Sequence, residues 1–458
     1  MKVIICGAGQ VGFNIARQLA QEDHDVTVIE QSEELVRRVG ESLDVKAMMG
    51  FASRPDVLQA AGAADANMLI AVTYADEVNM VACQVAHSLF NVPTKIARIR
   101  EQAYLDPAWA DLFSRDHMPI DVVISPEIEV ARAISRRLRV PGSTDTIPLV
   151  GGKVQAIGVR CLADCPVIDT PLRQLTALFP DLHIVVVCII RDGATIVPSA
   201  DDRMLAGDEV YFIAEAEHVA RAMTVFGHDE PQARRIAIAG GGHIGLFFAQ
   251  IVEREHHAVS AKIIERDRDR AGTIAEILEK TVVLGGDALD PEILEEANVP
   301  ATEAFIAVTN DDETNMLSSL QAKRLGSKRV ITLVNNPNYN QLATSLGIDV
   351  AVNPRAITVS TILQHVRRGR IRAVHALREG SGEIIEAEAL ETSDVVGRPL
   401  REAELPDGVI IGAIVRDGKV ITPRADTVMR AKDRVVLFAD VTAIKEVEKL
   451  FAVHLEFF

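Results

Sequence analysis

Aromatic residues are scarce in this chain of 458 residues: Phe, Trp and Tyr make up 4% of it, with a single Trp and four Tyr. So few tyrosines shrink the stock of proton-transferring groups that a redox enzyme sets beside its substrate. Basic residues are also in deficit, 48 Lys and Arg against 65 Asp and Glu, for a net charge of −17. Nucleic-acid binding needs a basic face to neutralise phosphates, so DNA and RNA are not expected partners. The five cysteines are odd in number and scattered, which argues for reduced thiols rather than a disulfide framework. Cys161 and Cys165 lie close enough to share a metal, but no second Cys or His pair stands at matching spacing, and no metal is expected. His256 and His257 are adjacent, cannot share a face, and read as exposed residues at a strand edge. Long hydrophobic runs are missing too. The longest, 184–190 and 409–415, have strand length and fall far short of the ~20 residues of a membrane span. The first strand begins within two residues of Met1, which leaves no room for a signal peptide and predicts a cytoplasmic protein.

What the chain does have is repetition. MKVIICGAGQVG at the start returns as RRIAIAGGGHIG from residue 234, so Gly7, Gly9 and Gly12 recur as Gly240, Gly242 and Gly245. In each copy an apolar run ends in GxGxxG and flows into an amphipathic stretch, the strand, turn and helix setting of a dinucleotide fingerprint. A second strand ends in Glu30 after the first fingerprint and in Glu265 after the second, at about the twenty-residue spacing of a ribose-binding acid. Then MLIAVT with Thr73 returns as AFIAVT with Thr309, each followed by an acidic run containing Asn-Met. Smaller echoes follow: Arg191-Asp-Gly and Arg416-Asp-Gly, each with a short strand and then Asp208 or Asp433.

Repetition on this scale predicts four lobes: two nucleotide-binding lobes at 1–142 and 230–371, and two small ones at 143–229 and 372–458. Alternating strands and helices in the large lobes predict a doubly wound parallel sheet. Asp-Gly pairs between β-branched runs predict hairpins in the small lobes, of α+β type. Each large lobe ends in a helical arm, led by Pro126 in the first and by Pro354 in the second, which either packs on its own lobe or reaches across to another. The arginine clusters at 136, 137 and 139 and at 367, 368, 370 and 372 could meet lipid phosphates or acidic partners, but read rather as solvated surface.

The chemistry expected at each fingerprint follows from its backbone. Gly7 permits the sharp turn, Gly9 lets amides approach a pyrophosphate, Gly12 lets helix and sheet pack closely, and the helix N-terminus supplies partial positive charge. Glu30 and Glu265 would accept hydrogen bonds from ribose hydroxyls and repel a 2′-phosphate, favouring NAD or an adenine nucleotide over NADP. Asp76 or Asp311 would cap the next helix. The fifth strand offers Lys95, Arg98 and Arg100 in the first half but Val330, Leu333 and Asn335 in the second. Charge-assisted bonds of about 1.5–3 kcal/mol would make the first site the tighter one. No His, Lys or Tyr is placed to move a proton at a nicotinamide, so binding without turnover is the expected activity.

ICGAGQVG with VIE, ASRPDVLQAAGAADANMLIAVT, AGGGHIG with GGDALDPEIL, IAVTNDDETNM and VGRPLREAELPDGVIIGAIVRDGKVITP together cover both halves. In these motifs the chain resembles the TrkA family, regulatory subunits of Trk potassium-uptake systems. The resemblance implies an α/β fold, a tandem duplication of a Rossmann-like doubly wound parallel-sheet lobe followed by a small α+β lobe (RCK-N and RCK-C, twice). It implies NAD(H) or ATP/ADP as cofactor, no catalysis, and a homotetramer on a TrkH- or TrkG-type pore at the cytoplasmic face of the inner membrane. Membrane contact would come only through that pore partner. The alternative is an NAD-dependent oxidoreductase. The nucleotide residues carried over are Gly7, Ala8, Gly9, Gln10, Val11, Gly12, Glu30, Thr73 and Arg98, and Gly240, Gly242, His243, Ile244, Gly245, Glu265, Asp287 and Thr309. Two departures stand out: Phe51 where the second half has Asp287, and Leu333 where the first has Arg98.

Overall fold

The computed structural model describes residues 1–179, 182–336, 338–366, 371–377, 382–393 and 395–451. The arginines at 367, 368 and 370 lie outside them, and Arg137 departs from the solvated reading: its largely buried guanidinium pairs with Asp145 at 2.7 Å and donates to the carbonyl of Thr144 at 2.9 Å. The first large lobe carries β1 (Lys2–Cys6), β2 (Asp25–Glu30), β3 (Lys46–Met49), β4 (Met68–Ala71), β5 (Thr94–Arg98) and β6 (Val122–Ile124), all parallel, in the order β3-β2-β1-β4-β5-β6. After the antiparallel small sheet of β7 (Ser143–Leu149), β8 (Val154–Arg160), β9 (Ile184–Arg191), β10 (Ala194–Ile196) and β11 (Glu209–Glu215), the pattern repeats. The second large lobe has β12 (Arg235–Ala239), β13 (Ser260–Glu265), β14 (Val282–Gly285), β15 (Ala304–Ala307), β16 (Val330–Leu333) and β17 (Val350–Val352), in the order β14-β13-β12-β15-β16-β17. The second small sheet has β18 (Ile371–Ala376), β19 (Glu383–Glu388), β20 (Val409–Arg416), β21 (Lys419–Ile421) and β22 (Arg434–Ala439). Both large sheets have the dinucleotide-binding strand order, which reverses direction between the first and fourth strands and opens a crevice at their carboxyl ends.

The small sheets explain the echo of Arg-Asp-Gly. Arg191 at the end of β9 grips Asp208 through two bonds, Nε to Oδ1 at 2.9 Å and Nη2 to Oδ2 at 2.7 Å. Arg416 grips Asp433 the same way, at 2.8 and 2.7 Å. Each guanidinium also donates to a backbone carbonyl outside the strands, of Arg203 or Val428, at 2.8 Å. The buried carboxylate is thus satisfied on every side, which a lone buried charge could not tolerate. The two small sheets bury a common core: Ile147, Val187, Tyr211 and Ile213 pack with Ile384, Ala413, Val436 and Phe438.

The chain divides into two compact units, and the arms decide their membership. One unit is Met1–Val130 together with Asn353–Val366; the other holds the described residues of 131–352 and from 371 onward. The helix Pro354–Leu363, which follows the second large sheet in sequence, is therefore part of the first unit. Its Val359, Ile362 and Leu363, with Val366 beyond it, lie in one core with Val11, Ile15 and Leu19 of the helix Gln10–Gln21. Burying one such aliphatic side chain contributes roughly 1.5–3 kcal/mol. The helix Pro126–Arg139 makes the reverse exchange: Ser135 Oγ meets His256 Nε2 at 2.9 Å, Arg139 pairs with Glu255, and Arg329 Nη1 donates to the carbonyl of Arg137 at 3.0 Å. Of the two placements open to the arms, the structure has each reaching across. This corrects the reading of His256, which is not an exposed strand-edge residue: it closes the helix His243–Glu255, half-buried and bonded to Ser135.

All five cysteines are buried and free. Among the described residues, no helix is long and apolar enough to cross a membrane.

Candidate nucleotide-binding sites

The first site is assembled where β1 and β4 end side by side. Gly7 follows β1 with φ +108°, a conformation that favours glycine, and its amide donates to the carbonyl of Ile29 at 2.8 Å. Its Cα is so close to β4's end that an added Cβ would lie 3.0 Å from the amide nitrogen of Thr73. A Cβ at Gly12 would collide with the carbonyl oxygen of Gly7, so the helix can meet the turn only if that residue is glycine. Gly9, by contrast, faces open space. Ala8 is buried under the turn, Gly9 and Gln10 are exposed, and Val11 points into the core, so Val11 can serve a ligand only through its amide. The helix Gln10–Gln21 has neither a side-chain cap nor an acid in its first turn, leaving its leading N–H groups and positive end available.

Glu30 closes β2 and points its carboxylate at this turn: Oε2 accepts from the Ala8 amide at 2.7 Å, and Oε1 from the Gln31 amide at 2.8 Å and the Ser32 amide at 3.1 Å. Arg98 closes β5, and its Nη2 donates to the carbonyl of Thr73 at 2.8 Å. Burial, and after it the charge of Arg100, pulls the Arg98 guanidinium down from its usual range. Its Nε is buried with no partner among the described residues. Lys95 does not join it. That side chain is buried at the start of β5, where it pairs with Asp121 at 2.7 Å. Arg100 turns instead to Glu127 at 3.3 Å and lies over the ring of Tyr74.

The second site repeats this geometry. Gly240 has φ +105° and lies against Thr309, a Cβ at Gly245 would collide with the carbonyl of Gly240, and Gly242 faces open space. Glu265 Oε2 accepts from the Gly241 amide at 2.7 Å. His243 is exposed at the start of its helix, stacked on Phe247, with Ile244 partly buried behind it. Asp287 follows Gly286, whose amide donates to the Glu265 carbonyl at 2.8 Å, so it stands at the same sheet edge; its Oδ1 is engaged by the Leu289 amide at 2.9 Å. The corresponding Phe51 in the first site is exposed.

Three features escaped sequence reasoning. Asn79 and Asn315, fully buried, hold Thr73 and Thr309: the Asn Oδ1 accepts from the Thr amide at 2.8 Å and hydroxyl at 2.7 Å in both copies. The signal was present, because both asparagines sit in the repeated acidic run. Asp311 caps its helix as expected, accepting from the Thr314 amide at 2.7 Å, but Asp76 does not. Asp76 is the first residue of its helix, and its Oδ2 accepts from the amides of Arg100 and Glu101 at 2.8 and 2.7 Å, pinning the loop after β5. Finally, the second turn is not without a cation. Arg270 Nε donates to the carbonyl of Gly241 at 2.9 Å, with its Nη2 buried and unpartnered among the described residues. Leu35 holds the equivalent place, three residues past the helix cap, in the first lobe.

The donor set suits a dinucleotide or adenine nucleotide. Open backbone at Gly9 and Gly242, free helix N-termini and unpaired guanidinium nitrogens match a pyrophosphate, and an acid at each second strand matches a ribose.

Comparison with known proteins agrees with this architecture. The TrkA-N domain model matches residues 3–126 and 236–354, and the TrkA-C domain model matches 157–227 and 384–452. The chain belongs to the TrkA family. The Trk system potassium uptake protein TrkA of Azorhizobium caulinodans is 57% identical over 458 residues, covering 100% of both chains. Its counterpart in Halomonas elongata is 43% identical, again over 100% of both. Among solved structures, the GsuK RCK domain superposes with a TM-score of 0.60 at 19% identity, covering 98% of this chain and 94% of that one. The GsuK channel bound to NAD gives 0.59 at 18% identity, covering 98% and 78%. At such identities these structures show a shared fold, and TrkA relatives over the full length show the family.

Proposed function

We propose that this TrkA-family chain is a cytosolic, non-enzymatic regulatory subunit that assembles as a homotetramer on a TrkH- or TrkG-type pore. There it gates potassium uptake in response to NAD(H) or ATP/ADP. The observation that carries the reading is the pair of glycine turns, each at the crevice of a doubly wound sheet and each faced by a strand-end acid, Glu30 or Glu265. Full-length relatives named as Trk potassium uptake proteins support the transport role, and a structural neighbour described as bound to NAD supports the ligand.

The mechanism is differential binding. A nucleotide biases a pore only through the difference in its affinity for two conformations of the assembly, typically ~1–3 kcal/mol, and tight binding without that difference changes nothing. The glycine amides and guanidiniums hold the phosphates, while Glu30 and Glu265 orient the ribose. Any conformational change that alters the distance between a turn and its neighbouring strand ends then alters affinity.

Growth of a strain carrying Gly9→Asp and Gly242→Asp under potassium limitation tests the reading. Both positions have open space, so the variants are expected to fold and accumulate yet fail to support growth. Normal growth would sink it, and nicotinamide oxidation with a small substrate and no membrane partner would favour the oxidoreductase.

A further inference from the structure

Arg355 belongs by sequence to the second half, yet its Nη1 donates to Oε1 of Gln10 at 2.7 Å. Gln10 is the first helical residue after Gly9, so this guanidinium is held at the mouth of the first glycine turn. Its position is fixed at both ends of the arm. Asn353 Oδ1 caps the arm's start, accepting from the amides of Arg355 and Ala356 at 3.0 and 3.1 Å, and Ile362 and Leu363 anchor its far end in the core of the first unit.

The placement is electrostatically unfavourable as it stands. A helix N-terminus carries partial positive charge, and a cation beside it is repelled unless an anion lies between them. The helix Gln10–Gln21 has no acid in its first turn, and among the described residues no carboxylate pairs with Arg355. Arg98, with its unpartnered Nε, stands at the neighbouring strand end, where its Nη2 donates to the carbonyl of Thr73. The other arm differs: Glu127 follows Pro126 where Arg355 follows Pro354, and it is neutralised by Arg100.

We propose that Arg355 is a phosphate-binding residue of the first site, supplied by the exchanged arm, and that it takes the distal phosphate of a nucleoside diphosphate moiety. The assignment rests on nucleotide binding at the first glycine turn. Arginine presents its donors in a planar fork that matches phosphate oxygens, and Gln10 holds that fork in readiness. Because the arm is continuous with β17, a phosphate gripped by Arg355 also restrains backbone that belongs to the second half of the sequence. Occupancy of the first site is thereby felt beyond the first lobe.

The test is calorimetric titration of the full chain carrying Gly242→Asp, so that only the first turn is competent, with ADP and with AMP. Adding Arg355→Gln is expected to weaken ADP about tenfold and AMP much less. Arg355→Lys should recover part of the loss, and the loss should shrink at high salt, as for a charge contact. Unchanged ADP affinity in Arg355→Gln, with the parent binding ADP, overturns the assignment and leaves the nucleotide reading intact. Equal losses for ADP and AMP, insensitive to salt, show that the arm acts only as a structural support and also overturn it. A parent that binds neither ADP nor NAD overturns both.

Discussion

The carboxamide of Asn79 holds all three polar atoms of Thr73: Oδ1 accepts from the Thr73 amide at 2.8 Å and hydroxyl at 2.7 Å, while Nδ2 donates to the Thr73 carbonyl at 3.2 Å. Nδ2 also reaches the Arg98 carbonyl at 2.9 Å, so one buried side chain ties the ends of β4 and β5 together beneath the site. Asn79→Ala would strand several buried groups and is expected to cost ~1–3 kcal/mol for each left unsatisfied. Asn79→Asp would keep the acceptor but add a negative charge near the phosphates, so its loss of nucleotide affinity should exceed its loss of stability. Chemical denaturation and titration, run in parallel, separate the two effects.

Gly9 and Gly12 are about one helical turn apart, and their substitution should differ in what it does to stability. Gly12→Ala drives a methyl into the carbonyl of Gly7, so it should lower the unfolding midpoint and impair binding together. Gly9→Ala meets nothing in the chain itself, so stability should hold while nucleotide binding falls. A Gly12→Ala protein with unchanged stability would show that the turn can relax.

The two sites should differ in affinity, though less than the fifth strand alone suggests. Arg98 and Arg355 serve the first turn, and Arg270 serves the second. Glu30→Ala should therefore abolish the tighter phase of a nucleotide titration and Glu265→Ala the weaker. Equal loss from both variants would refute the asymmetry.

Acid should weaken the protein through imidazoles that packing partly strips of water. His375 is pushed down to about 4, chiefly by burial and then by Arg136, with Asp145 acting in the opposite sense. A base whose folded value lies below its unfolded value of about 6.5 is kept neutral by the fold. Its contribution is complete above about pH 6.5 and is lost as pH falls toward about 4, up to ~3 kcal/mol in all. Burial lowers His256 and His365 in the same direction. Unfolding free energy should therefore decline across this window, and His375→Gln should flatten the decline without removing it.

Much of this was legible in the sequence because the chain carries its own comparison. The glycines, Glu30 and Glu265, and Thr73 and Thr309 recur at matching places, and backbone geometry gives each a reason. What was not legible depended on contacts between segments distant in sequence. Lys95 and Arg98 are both cations of β5, but only the fold reveals that one is buried at the strand's start and the other stands at the ligand edge. Asp76 looked like a cap because it opens a helix, yet its carboxylate serves a loop from the neighbouring strand. Arg270 was hidden for a similar reason: it lies in a run of alternating charges after Glu265, and only packing carries it back to Gly241.

The exchanged arms impose a condition on any shortened version of this chain. A polypeptide ending after the first small lobe would carry a helix whose intended groove is missing and a groove whose intended helix is missing. Two such fragments are mutually complementary, each able to lend what the other lacks. Single-repeat fragments should therefore pair with one another, and the intact chain can be understood as that pair written into one continuous polypeptide.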